Sequence, residues 1–275
     1  MPLETGAFKY AVTTLFNSNE MKHMKKYAIV ILAAMLFAGC GDDDSDPQSR
    51  VENVIPNNFT ADMLYDYPDS EGLLAASQTT LVQSVLGVRD SKTSSGLALS
   101  VFPEEPGATR YVTVGSVMCN DKELSVQDRR VYAFEPSFTG MSGIDYSSGT
   151  VKWDVSGSEE MESFSHTAEG FPAEISFESN VREIDLSKNY TLEVSAVQNT
   201  DSLLYIVAAD GDFVLKRTDA SQTSVTFTAD DFAPIKNSEK GLVQVTAFKL
   251  FPEEVNGKKL YFVNAMNLNS LIDFQ

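Results

Sequence analysis

Beyond residue 40 the chain holds one histidine, His166, one cysteine, Cys119, and many carboxylates. A Ser-His-Asp or Cys-His relay would have to use His166. That residue lies in the polar stretch 163–170, without a nucleophile-elbow motif nearby, and reads as a surface histidine at a strand end. Cys119 reads as a small buried hydrophobe closing a strand, and neither residue has zinc-site spacing. A glycoside hydrolase needs two carboxylates facing across a cleft. Glu104-Glu105 and Glu253-Glu254 are adjacent pairs; neighbouring strand residues point to opposite faces, so neither pair shares a site. Asp210-Gly211-Asp212 lacks the remaining ligands of a calcium loop and reads as a turn. There is no glycine-rich phosphate loop. The expectation is a protein with no catalytic residues, no metal and no cofactor.

Binding chemistry falls to the aromatic residues. Trp153 could stack on a sugar ring, but Val151, Trp153 and Val155 share one strand face while Lys152 and Asp154 take the other. That alternation sends the indole into the core. Tyr65, Tyr67, Phe138 and Tyr146 stand between polar residues in expected loops and are the candidates for contact with a glycan.

The start of the chain sets its address. Met24-Lys25-Lys26 is positive, and the apolar run Tyr27 to Phe37 ends in Ala38-Gly39-Cys40. Such a run is a signal-peptide core, and it falls short of the roughly 20 apolar residues of a permanent span. Residues 1–20 precede the better starts Met21 and Met24 and read as an over-called translation start. Leu36-Phe37-Ala38-Gly39-Cys40 resembles the lipobox of bacterial lipoproteins. The resemblance implies cleavage before Cys40, a diacylglyceryl thioether on its sulfur and an acylated new amino terminus. The acyl chains then bury in outer-membrane lipid, at about 0.8 kcal/mol per methylene. A thioether at Cys40 leaves Cys119 without an intramolecular disulfide partner. The tract Asp42, Asp43, Asp44, Asp46 is a self-repelling tether. It also resembles the surface-export signal of Bacteroidota lipoproteins, which implies display on the outer leaflet. Asp201-Ser202-Leu203 resembles the short O-glycosylation motif of the same group, which implies modification of Ser202 in an expected loop.

Removing residues 1–39 takes two acids and four bases from totals of 39 and 21, leaving 37 and 17 and a net charge of about −20. A body so acidic lacks the basic footprint for nucleic acid or an anionic membrane surface. Residues 40–58 are polar and read as the tether, followed by a short helix over 60–67 with Thr60 as N-cap and Pro68 as stop. Strands follow at Leu81–Val88, Leu97–Phe102, Tyr111–Met118, Val131–Phe134 and Thr150–Val155, broken by turn-forming stretches such as 103–107 and Asn120-Asp121. Phe171-Pro172, after the polar stretch 156–170, reads as a domain boundary. Beyond it, seven strands fall within about 100 residues, the density of a sandwich. Tyr190, Leu192, Val194 and Ala196 share one face there, Leu203–Ala209 suits a central strand, and Asp210-Gly211 turns a hairpin. This region resembles the immunoglobulin or fibronectin type III class in pattern, without the Cys…Trp…Cys set. One echo, residues 98–105 against 247–254, matches at five of eight positions.

The expected fold is all-β, with two immunoglobulin-like β-sandwich domains over 59–169 and 170–275 behind signal peptide and tether. The expected function is a non-catalytic surface lipoprotein that binds a polysaccharide or a protein. Two alternatives stand beside it: an adhesin or pilus-type subunit matured by cleavage at Arg50, and a carboxylate-dependent glycan hydrolase.

Overall fold

The structure, a computed structural model, describes residues 69–85, 89–134 and 143–275. These form strands and short 3₁₀ turns, with no α-helix among them. In chain order the strands are β1 (Gly72–Val85), β2 (Arg89–Val101), β3 (Val117–Cys119), β4 (Lys122–Val126), β5 (Tyr132–Ala133), β6 (Thr150–Val155) and β7 (Phe164–Glu169). Then come β8 (Glu183–Ile184), β9 (Tyr190–Glu193), β10 (Ser202–Ala209), β11 (Asp212–Asp219), β12 (Ser224–Phe227), β13 (Lys240–Val255) and β14 (Lys258–Phe274). The all-β expectation holds.

Local chemistry explains the strands. β6 alternates, with Val151, Trp153 and Val155 buried and Lys152 exposed, as a half-buried strand must. β10 is buried along its whole length, because it lies between β11 and β13 with apolar side chains on both of its faces. Asp210-Gly211 and Asn256-Gly257 close the β10–β11 and β13–β14 hairpins. Both residues of each pair have positive φ, 53° and 88° and then 52° and 73°, the backbone that a two-residue hairpin needs.

The strands order as β11-β10-β13-β14-β1-β2-β5-β4-β3-β6-β7, with β8 beside the end of β14; β9 and β12 pair separately. β1 runs parallel to β14, from Gly72 beside Leu260 to Val82 beside Ser270, and antiparallel to β2. The end carrying β3, β6 and β7 turns back over the middle of the sheet, so that Trp153, Leu74 and Phe262 share one buried cluster. β9, β12 and residues 171–186 cover the β10 end of the same face, through Leu192, Phe227, Ile175 and Ile184. Fully burying a side chain of this kind contributes about 1.5–3 kcal/mol.

The boundary expected at Phe171-Pro172 is crossed in space. The β1–β14 ladder joins residues from both sides of it. Phe171 is itself buried, stacked on Tyr146 at 4.8 Å with 10° between the planes, so it anchors the chain there.

Candidate functional site

On the outside of the β3-β6-β7 layer lies an open groove of about 400 Å³, lined by Ser116, Met118, Asp154, Val155, Ser156, Ser163, Phe164 and Ser165. Strand register builds it. Met118 pairs with Asp154, and Asp154 with Ser165, so the three side chains stand in one row facing out. The next row inward along the strands, Cys119, Trp153 and His166, points into the core. Ser116 and Ser156 bind each other: the Ser156 hydroxyl accepts from the Ser116 N–H at 2.8 Å, and the Ser116 carbonyl accepts from the Ser156 N–H at 3.0 Å.

Asp154 is the charged member. Lys152 lies 2.7 Å from its carboxylate, and the Ser165 hydroxyl donates to it. Those two contacts, Lys152 first, hold the carboxyl below its ordinary value. The groove therefore presents a fixed acceptor, a row of hydroxyls and the apolar flank of Met118. That set can hydrogen-bond a polyhydroxylated ligand and pack against its C–H faces. It holds one carboxylate, without the facing second that glycoside hydrolysis uses.

The residues singled out in the sequence scatter. His166 sits within β7, pointing inward, and not at a surface strand end; its ring lies on Phe262 with centroids 3.7 Å apart. Phe164, His166 and Ala168 alternate with polar residues, so the polar stretch is a strand with an inward face. Trp153 is fully buried, as its alternation predicts. Glu104-Glu105 and Glu253-Glu254 are exposed, the first pair in a turn and the second near the β13–β14 hairpin tip.

Two candidates stand differently from expectation. Tyr146 is 4 % exposed, its hydroxyl donating to the Leu97 carbonyl at 2.6 Å, because the bridge between Gly143 and Gly96 folds its segment against β2. It is a core residue without an open ring face. Ser202 opens β10 instead of lying in a loop. It is 7 % exposed and accepts from Arg217 Nη2 at 3.3 Å, so its hydroxyl is not offered for glycosylation. Tyr65, Tyr67 and Phe138 lie outside the described residues, as do Cys40, Asp42, Asp43, Asp44, Asp46 and Arg50. Sequence reasoning missed Met118, Asp154 and Ser165; the signal was the polar side of the alternation that buries Trp153.

No family model matches the chain, and no curated protein does. Among solved structures, it can be laid over a chain from work described as "Structural insight into host cell surface retention of a 1.5-MDa bacterial ice-binding adhesin". Identity is 10% and the TM-score 0.23, with 73% of this chain and 66% of that one covered. The chain thus spans just under two thirds of that structure's length, and a likeness at this score carries no argument about fold or function.

Proposed function

We propose that the protein is a non-catalytic lipoprotein, anchored in the outer membrane through acylated Cys40 and displayed at the cell surface, whose β-sandwich body binds a glycan. The observation that carries the binding reading is the groove on the β3-β6-β7 layer, where Asp154, Ser116, Ser156 and Ser165 line up beside Met118. Ligand sites set a few placed polar groups beside an apolar surface, and a sugar offers hydroxyls to the first and C–H faces to the second. The lipid anchor rests on the lipobox resemblance at Leu36–Cys40, and surface display on the acidic tract after it.

The test is binding of soluble Gln48–Gln275 to plant, mucin and bacterial polysaccharides, by affinity gel and calorimetry. Saturable binding to at least one, lost on changing Asp154, supports the reading. No binding across a broad panel, with a protein captured at the same groove by cross-linking on whole cells, replaces the glycan with a protein ligand. Release of reducing sugar would overturn the non-catalytic part.

A further inference from the structure

The outward row that forms the groove does not end at Met118. Met118 pairs with Asp154 of β6 on one side and with Glu123 of β4 on the other, so the row runs Glu123, Met118, Asp154, Ser165 across four strands. β4 alternates accordingly: Leu124 is buried in the core, while Glu123 and Ser125 are exposed on the other side of the strand. Residues paired across antiparallel strands stand about 5 Å apart at Cα. Glu123 and Asp154 therefore stand on either side of Met118, with their Cα atoms about 10 Å apart. Both rise from one face in the same direction, so they flank a ligand lying across the strands and do not oppose each other over a cleft.

The charge of this row is one-sided. The ammonium beside it, Lys152, is 2.7 Å from the Asp154 carboxylate and is also held by the charge of Asp121. Lys122 pairs with Cys119, whose side chain points into the core, so it does not belong to the outward face. Glu123 has no ion-pair partner among the described residues. An anionic ligand group placed over Met118 therefore meets a carboxylate on each side, at a range where like charges at a protein surface repel. The rest of the acidic body adds little there, because exposed charges more than about 8 Å away are largely screened at physiological salt. A sugar hydroxyl in the same place can donate to either carboxylate.

We propose that Glu123 extends the groove and, together with Asp154, sets its specificity: uncharged polysaccharides are accepted, and chains bearing carboxylate or sulfate groups are refused. This specificity rests on the glycan reading of the groove, to which it adds the class of sugar and a second selecting residue.

The experiment uses the full mature chain from residue 40, with Cys40→Ser to keep it soluble, and polymers that share a backbone and differ in charge. The pairs are hydroxyethyl cellulose with carboxymethyl cellulose, dextran with dextran sulfate, and methyl-esterified with de-esterified polygalacturonate, together with the native and carboxymethylated forms of any other polysaccharide that binds. On affinity gels at about 0.15 M salt, the uncharged member of a bound pair should be held at least about tenfold more tightly. Glu123→Lys should narrow that ratio severalfold. Asp212→Lys, an equal change of net charge at the exposed start of β11, should leave it unchanged. Equal retention of both members, or preference for the charged one, overturns the specificity, leaves the glycan reading standing and needs no variant to fold. A ratio that Asp212→Lys narrows as much as Glu123→Lys belongs to net charge and overturns the role of Glu123. No retention by any polysaccharide overturns the glycan reading itself and the specificity with it.

Discussion

His166 lies flat on Phe262, with ring centroids 3.7 Å apart and 18° between the planes. One contact thereby ties β7, at the end of the strand order, to β14 at its centre. Burial pushes the imidazole below its ordinary value, with the charge of Glu253 acting more weakly the other way. The folded protein thus holds His166 neutral, while the unfolded chain takes up a proton near pH 6.5. The stability this contributes is complete above pH 6.5 and is lost as pH falls through the folded-state value. His166→Phe keeps the stack without the titration. Its urea midpoint should fall less than that of the unaltered protein between pH 7 and pH 5; parallel curves would exclude His166 as the source.

Gly96 lies where two backbones nearly touch. A Cβ there would come within 1.8 Å of the Ile144 carbonyl oxygen, whose own N–H donates to the Gly96 carbonyl at 2.9 Å. Gly96→Ala must push the segment around Ile144 and Tyr146 off β2, and overpacking of this kind costs about 1–3 kcal/mol. Urea denaturation should register that loss. Retained stability would mean that the two segments are not pressed together.

Much of the fold was legible where the determinant was local. β6 runs from Thr150 to Val155 as its alternation predicts, and Asp210-Gly211 turns the predicted hairpin. The long strands were cut short because Pro252 reads as a stop. In β13 the ladder to β10 ends at Phe248 and continues on the β14 side alone. A proline is tolerated on a strand with one open edge, where a donor is dispensable. The parallel pairing of Gly72 with Leu260 was beyond reach, since nothing near either residue encodes a partner 188 positions away. The groove was half legible. Trp153 pointing inward puts Asp154 outward, but Met118 and Ser165 join it only through register between strands.

Cys119 offers a direct probe of packing around Tyr146. Its Sγ lies 3.6 Å from the Tyr146 hydroxyl, and burial pushes the thiol up to about 12. In the folded protein it should react with a thiol-specific disulfide reagent only through opening of the structure. Tyr146→Phe removes the donor to the buried Leu97 carbonyl, and an orphaned acceptor there costs about 1–3 kcal/mol. The variant should label about 5- to 150-fold faster at pH 8 if opening is global. Equal labelling rates would place the reactive opening elsewhere.

Asp154 separates binding from stability. Its pair with Lys152 is partly exposed, with side chains 31% and 50% accessible, and such surface pairs are worth about 0–1 kcal/mol. Asp154→Ala should therefore leave the thermal midpoint nearly unchanged. A hydrogen bond from a ligand hydroxyl to a carboxylate is worth about 1.5–3 kcal/mol, so affinity for a bound polysaccharide should fall by about 10- to 150-fold. The pH profile carries a second signature. Lys152 and Ser165 keep the carboxylate ionised below its ordinary value of 3.8. Affinity should hold constant from neutral pH down through that value and fall only beneath it. A variant that binds as well as the unaltered protein, with Ser165→Ala equally silent, would remove this groove as the binding site and leave the fold intact.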